Sequence, residues 1–275
     1  MALLLSVLEQ GMIYGILALG VYITYKILDF PDLTVDGSFP FGAAITVRLI
    51  NGFGVPAILT LPIAFLGGAL VGICTGLIHV KLKVRDLLSG IIMMTGLYTI
   101  NLWVAGSGYV AIFDKENIFN NSLVNSITPG FLVNFKNVII IFLITMVAKY
   151  LLDWYMSTKS GFLLRAVGDN DTIVTSLGVD KGLVKIVGLS IANGLVSLSG
   201  CIYAQQQRSF EISIGTGAVV IGLASVIIGT SLFKKVTFFR VTSSVVVGSI
   251  LYKACVAVAM FAGISPNAIK LITAV

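Results

Sequence analysis

Two charged side chains inside long apolar stretches, Glu9 and Lys253, are the residues whose type and position most clearly suggest a chemical role. A charge at the centre of a membrane crossing costs about 2.5–3.5 kcal/mol on insertion scales, so such a side chain should face a polar interior. We expect Lys253 to find a carboxylate partner there, with Glu9 as the candidate. A lysine that snorkels to the end of its helix is the alternative.

A second group lies in the stretch 29–38, where Pro31 and Pro40 predict breaks in the helical backbone and Gly37 permits one. Backbone that is not helical at membrane depth must line a cavity or be buried in protein, since lipid cannot satisfy its amides. Broken helices bind carboxylate or ammonium groups through their exposed ends. The candidate residues for a translocation path here are Asp36, Gly37 and Ser38. The alternative is a cytoplasmic loop in which the aspartates of this stretch are solvated.

Polar and flexible side chains in other apolar stretches extend this list of candidates. Asn101 and Asn193 could contact a solute, although hydrogen bonds between helices explain them equally well. Met93, Met94 and Thr95 could line a path for an apolar or aromatic solute, because methionine adapts its shape; core packing is the alternative. With one histidine and three scattered cysteines, the chain offers no metal site and no catalytic nucleophile. We therefore expect a protein that moves a solute and is not an enzyme.

The elements that position these residues are predicted to be membrane-spanning helices. Of the 275 residues, 57% are hydrophobic and only 11% are charged, and a crossing needs about 20 apolar residues. We expect a single transmembrane domain, 1–275, that is all-α: a polytopic helix bundle of about eight to nine spans with short broken helices. The eight apolar stretches are 3–28, 39–50, 56–80, 87–105, 137–156, 186–205, 218–233 and 241–264. A ninth span would begin near residue 268 and continue past Val275.

The net charge of +6 does not indicate nucleic-acid binding, because the cations lie between the apolar stretches and not on one soluble face. Ten lysines and arginines fall in one set of alternate loops and four in the other, and the richer set should be cytoplasmic. This places segment 106–136 outside and segment 157–185 in the cytoplasm. An inverted repeat is one interpretation of two glycine-bearing turns, 28–38 and 209–217, that follow helices crossing in opposite directions. Chance similarity is the other.

The cytoplasmic segment 157–185 holds more apolar surface than a solvent loop needs. Phe162 to Ala166 could form a short helix along the membrane, and Asp171 could cap a second one that ends at Gly178. A short, rigid helix suits a segment that a partner protein grips and tilts. An ordinary amphipathic connector is the alternative.

This segment resembles the loop of the branched-chain amino acid and ribose importer permeases, in which a glycine, an Arg-Ala pair, a glycine, a small polar pair and a later glycine recur in that order. The resemblance extends to residues 11–20, 39–43 and 221–229, which are similar to the family's first helix, the turn into its second helix and its late alanine-glycine helix. In that family the loop docks on the ATPase. The coupling residues that the resemblance implies are Gly161, Leu164, Arg165, Ala166, Gly168, Asn170 and Gly178.

The resemblance implies a permease subunit of an ATP-driven importer in the bacterial plasma membrane. The chain would form a homodimer in the lipid, with two copies of a cytoplasmic ATPase and an extracellular solute-binding lipoprotein. It would bind no cofactor, and ATP and Mg²⁺ would bind the ATPase, since this chain has no phosphate-binding loop. Replacing Arg165 or Gly168 should then abolish transport while leaving the chain inserted.

The substrate implied by the resemblance comes from the string Asp32 to Phe39. It departs from the family's usual Asn-Phe-Ala-His-Gly turn and is similar to a single-permease subgroup assigned to aromatic amino acids such as tryptophan or tyrosine. Importers of the same type for nucleosides or sugars are one alternative. An ion-coupled secondary transporter is the other, with Glu9 and Asp36 as its intramembrane carboxylates.

Overall fold

A computed structural model describes residues 2–113, 115–121, 135–234 and 240–261. The helices in these ranges are α1 (Ala2–Val21), α2 (Val35–Phe53), α3 (Thr60–Lys81), α4 (Asp86–Ala105), α5 (Lys136–Met156), α6 (Lys159–Asp169), α7 (Asp171–Ser176), α8 (Lys181–Gln207), α9 (Ala218–Leu232) and α10 (Val241–Phe261). A π-helical stretch, Tyr22–Ile27, extends α1, and short 3₁₀ turns, Ala57–Leu59 and Ile212–Gly215, precede α3 and α9. The all-α expectation misses one detail: strands β1 (Tyr109–Ala111) and β2 (Ser209–Glu211) pair antiparallel.

Seven helical segments among the described residues are long and apolar enough to cross a membrane. They are Leu3–Ile27, Ala57–Lys81, Asp86–Ala105, Lys136–Met156, Lys181–Gln207, Ile212–Leu232 and Val241–Phe261. The polytopic helix bundle predicted from the composition is confirmed. Helix α2 does not join the seven, because Asp36, Arg48 and Asn51 lower its hydropathy; it packs in the interior against α3, α4 and α8. The predicted ninth span lies outside the described residues.

The second helix differs from its prediction. The chain leaves helical geometry at residues 28–34, and α2 then begins at Val35, with Gly37, Ser38 and Pro40 inside it. The break expected at Pro40 is therefore wrong. Proline lacks the N–H that would bond the carbonyl of Asp36, and the backbone of Gly215 packs on that oxygen instead, so closely that a Cβ at position 215 would overlap it.

Helix α8 is the central helix of the bundle and packs against α1, α2 and α3. Its most extensive contact is with α3, where three glycines four residues apart face its backbone. A Cβ at Gly68 would overlap the carbonyl of Asn193, and one at Gly72 would overlap the carbonyl of Leu189. Small residues let transmembrane helices approach until their backbones touch, and van der Waals packing then holds them.

Two neighbouring glycines in α3 provide a test of the packing between α3 and α8. The backbone of α8 blocks a side chain at Gly68, whereas a Cβ at Gly67 would meet only side-chain atoms, the end of Ile45 at 2.6 Å and the ring of Phe41 at 3.3 Å. We expect Gly68→Ala to destabilise the chain by about 1–3 kcal/mol, the usual cost of overpacking. Gly67→Ala should cost less, because the side chains that its Cβ meets can shift, and the gain of up to about 1 kcal/mol in helix propensity then offsets the strain. Unfolding midpoints of the purified variants check this, and equal midpoints would contradict the packing described for α3 and α8.

Candidate functional site

The N-terminus of α9 is capped by a side chain from another helix. The carboxylate of Asp36, in the first turn of α2, accepts the backbone N–H of Gly217 at 3.0 Å and that of Val219 at 2.8 Å. The first N–H groups of a helix have no partner within it, and an aspartate is among the best acceptors for them. Asp36 therefore joins the beginnings of two helices that are far apart in sequence. We call this contact the α2–α9 junction.

The junction lies deep in the bundle. Ser38, two residues after Asp36, donates its hydroxyl to the Oδ1 of Asn193 at 2.6 Å. Asn193 is twelve residues after the first residue of α8, which corresponds to about 18 Å along the helix axis. From this depth α2 runs to the end that the charge distribution assigns to the outside, and α9 runs to the cytoplasmic end.

Asp32, four residues before Asp36, is buried. The interpretation in which it is a solvated loop residue is therefore wrong. One of its oxygens accepts the N–H of Thr34 at 2.8 Å and the other accepts the Nδ2 of Asn193 at 2.8 Å. Burial raises the pKa of Asp32, and these hydrogen bonds oppose that rise in part. Asn193 thus bridges Asp32 and Ser38, so all its polar groups are used within the bundle. Asp29, in contrast, is exposed.

A cavity of about 440 Å³ adjoins the junction. Its lining combines polar groups with apolar and aromatic side chains from α2, α4 and the 3₁₀ turn before α9. The lining residues are Asp36, Gly37, Pro40, Met94, Thr95, Tyr98, Asn101, Ile212, Ser213 and Thr216. This volume and this mixture are typical of a site for a small amphipathic molecule.

Asn101 holds α4 to the start of α2. Its Nδ2 donates to the carbonyl of Gly37 at 3.1 Å. Its Oδ1 is buried and accepts no hydrogen bond from the described residues. A buried acceptor without a partner costs about 1–3 kcal/mol, so a donor supplied within the cavity would stabilise this arrangement.

The structure brings only some of the candidate path residues together. Asp36, Gly37, Met94 and Asn101 line the same cavity, whereas Ser38 and Asn193 bond to each other behind it. Met93 is half-buried on α4 and is not among the lining residues. Thr95, which the sequence also suggested as a path residue, lines the cavity, whereas sequence reasoning missed Tyr98 and the lining role of the turn 212–216. The glycines around that turn were the only signal for it.

Glu9 and Lys253 lie apart from this cavity, and the ion pair predicted between them does not form. Glu9 accepts a hydrogen bond from the Nε2 of Gln206 at 3.0 Å. The amine of Lys253 lies 3.7 Å from the centre of the Tyr14 ring, and no carboxylate of the described residues lies within ion-pair distance of it. Attraction between a cation and an aromatic face takes the place of the carboxylate partner.

On the cytoplasmic side, α6 presents one face to the bundle and one to solvent. Gly161, Leu164 and Val167 are buried, and Gly168 packs against the carbonyl of Ile27 so closely that a Cβ would overlap it. Helix α6 is longer than predicted, since Lys159 to Asp169 are all helical. Its neighbour α8 begins at Lys181, so the nonhelical part of segment 157–185 is shorter than expected.

The exposed face of α6 carries Phe162 and Arg165, whose guanidinium carbon lies 6.0 Å from the phenyl ring centre. Ala166 is half-buried between the two faces. The cap of α7 differs from its prediction: the helix already begins at Asp171, and the residue before it, Asn170, accepts the N–H of Thr172 at 3.0 Å. After α7 the chain reverses at Gly178, whose φ of +74° suits glycine.

Comparison with known proteins gives consistent matches over the whole chain. A family described as the permease component of branched-chain amino acid transport systems matches residues 3–275. A tyrosine transport system permease protein of Clostridioides difficile is 42% identical over 99% of this chain and 88% of its own length. The ribose import permease protein of Haemophilus influenzae is 26% identical over 82% of this chain and 68% of its own. A probable branched-chain amino acid transport permease protein of Methanocaldococcus jannaschii is 26% identical over 78% of this chain and 70% of its own length. No solved structure matches significantly.

Proposed function

Because the chain belongs to the family of permease components of branched-chain amino acid transport systems, we propose that it imports an aromatic amino acid, tyrosine or tryptophan, as the permease of an ABC importer. The observation that carries this substrate is the 42% identity to a tyrosine transport permease over nearly the whole chain. The other relatives, which carry ribose or branched-chain amino acids in their names, are much less similar. A multi-pass position in the bacterial inner membrane agrees with the seven apolar helices.

In this proposal the cavity beside the α2–α9 junction is part of the solute's path. Tyr98 and Met94 offer an aromatic face and an adaptable apolar surface to an aromatic side chain. The Oδ1 of Asn101 is an acceptor without a partner among the described residues, and an ammonium or phenol group is a donor. Asp36 already binds two backbone N–H groups, so its role is to hold the junction. Its contact with the solute is secondary.

The proposed assembly has two copies of the permease around a central path. Two copies of an ATPase, which bind ATP and Mg²⁺, press on α6 and α7 from the cytoplasm, and an external lipoprotein delivers the solute. The shape of α6 supports its role in coupling: its buried face is locked to the bundle at Leu164 and Gly168, while Arg165 stays exposed for a partner. Asn170 and Gly178 fix the ends of the neighbouring helix, α7.

We further propose that α1–α2 and α8–α9 are related by an inverted repeat, in a bundle with one or two spans beyond the seven described. In each unit a long helix is followed by nonhelical or irregular chain and then by a helix that begins deep in the bundle. The two units run in opposite directions, and their second helices meet at the α2–α9 junction. Secondary transporters with such repeats form their solute sites at the interface of the repeats, and we propose the same location here.

The substrate can be tested on the solute-binding protein encoded beside this permease. Tyrosine or tryptophan should raise its unfolding midpoint, because a ligand that binds only the folded state stabilises it. Leucine, ribose and adenosine serve as matched controls. Stabilisation by ribose or adenosine alone would overturn the aromatic substrate while leaving the importer in place. Labelled tyrosine that enters cells only when permease, ATPase and binding protein are all expressed completes the test.

A further inference from the structure

A second cavity, of about 850 Å³, lies at the cytoplasmic ends of α5 and α10, beside the π-helical stretch and α6. It is lined by Tyr22, Tyr150, Asp153, Trp154, Met156, Ser157, Phe162, Arg165, Arg240, Val241 and Thr242. Tyr150 and Trp154 are 60% and 70% exposed on the outer surface of α5. Tyrosine and tryptophan concentrate at the boundary between lipid and water. This cavity therefore lies where phospholipid headgroups of the cytoplasmic leaflet would be.

The charges around this cavity do not balance. Asp153 is its single carboxylate among the described lining residues, and it already has three partners: Lys149 at 3.1 Å, Arg240 at 3.3 Å and the hydroxyl of Thr242 at 2.6 Å. Arg165 has no carboxylate of the described residues within 4 Å. Three cations thus surround one anion, which leaves a formal excess of two positive charges.

The two arginines of the lining are accessible. The side chain of Arg240 is 69% exposed even though it contacts Asp153, and Arg165 is exposed on α6. A guanidinium presents paired N–H donors that match the oxygens of a phosphate. Basic pockets between transmembrane helices on the cytoplasmic side bind lipid headgroups in this way. The exposed rings of Tyr150 and Trp154 can pack on the glycerol and acyl portions of the same molecule.

We propose that this cavity binds the phosphate group of an anionic phospholipid, such as phosphatidylglycerol, through Arg240, with Arg165 adding a second positive charge while no ATPase contacts α6. The bound lipid would supply the anionic group that Asp153 alone does not provide. It would also fill the space between α5, α10 and α6. The proposal does not depend on the identity of the transported solute.

The test measures lipid binding to the purified full-length chain by native mass spectrometry, with titration of phosphatidylglycerol and phosphatidylcholine. Arg240→Gln should weaken the binding of phosphatidylglycerol by about tenfold or more, the expected loss for a charge-assisted contact. Arg48→Gln is the matched control, because Arg48 is an exposed arginine at the opposite, external end of the bundle. It should bind phosphatidylglycerol as the wild type does. Asp153 keeps Lys149 and Thr242 as partners in Arg240→Gln, so the fold should persist, and the unfolding midpoint checks this.

Three outcomes would overturn the proposal. One is equal binding of phosphatidylglycerol by the wild type and Arg240→Gln, together with equal binding by Arg165→Gln. Another is binding of phosphatidylcholine as tight as that of phosphatidylglycerol. The third is binding of inorganic phosphate but not of phosphatidylglycerol.

Discussion

Replacing Gly168 by alanine should abolish ATP-driven uptake while the chain remains in the membrane. The new Cβ would overlap the carbonyl oxygen of Ile27, and that oxygen belongs to the backbone and cannot rotate away. Relief requires that α6 lift from the end of α1, at a cost of about 1–3 kcal/mol. A partner that pushes on a lifted α6 would no longer move the bundle. Uptake of labelled solute, measured with the amount of chain in the membrane fraction, checks this.

Gly96→Ala is the matched control for this substitution. Gly96 is also a helical glycine, but a Cβ there meets nothing within 4 Å. It should keep normal uptake and gain slightly in stability. Normal uptake by Gly168→Ala would remove α6 from the coupling role. A loss of membrane-inserted Gly168→Ala, on the other hand, would assign this contact to folding alone.

Replacing Asp36 by alanine should have the second large effect, because it removes the acceptor for two backbone N–H groups at the α2–α9 junction. Loss of a helix cap costs about 0.5–2 kcal/mol, and buried donors left without partners add to this. A loss of about 2 kcal/mol would shift the population of the closed junction more than tenfold. We expect uptake to fall to background, with a lower unfolding midpoint.

Two asparagine variants distinguish the effect of losing the helix cap at Asp36 from the effect of losing a negative charge. Asp36→Asn keeps one side-chain oxygen as an acceptor and should retain part of the uptake. Asp29→Asn removes a negative charge from an exposed residue whose φ of +50° asparagine tolerates, and it should transport normally. Full activity of Asp36→Ala would show that the junction does not need its carboxylate.

The sequence predicted the spanning helices well where an apolar stretch ends at charged or glycine residues. Segments 87–105 and 137–156 were each expected within one residue of α4 and α5. Length and hydropathy suffice there, because lipid requires every backbone group of a crossing to bond within its own segment. Predictions were weaker for α2, because it is buried among other helices and its conformation depends on how it packs against them.

The errors share one physical cause, which is that the deciding partner is remote in sequence. Pro40 is accepted inside α2 because Gly215 packs on the carbonyl that the proline leaves free. Asp32 is buried because Asn193 bonds its carboxylate from α8. Lys253 takes an aromatic ring in place of Glu9. Periodicity assigns a residue to a helix, but it does not say which neighbouring helix that residue faces.

Some residues that line the candidate cavity could be identified from the sequence, and others could not. Asp36, Met94 and Asn101 could be chosen from the sequence because each is an unusual side chain for an apolar stretch. Tyr98 and Ile212 could not, since an aromatic or aliphatic residue in a membrane helix is ordinary. Their part in the lining follows only from the approach of α4 to the turn before α9.

The α2–α9 junction also has an electrical consequence. The N-terminus of each helix carries roughly half a positive elementary charge, so the two ends together offer about one positive charge, and the carboxylate of Asp36 supplies one negative charge between them. The sum is close to zero. The net charge of the junction therefore offers an inorganic ion of either sign little compensation for the water that it would lose there.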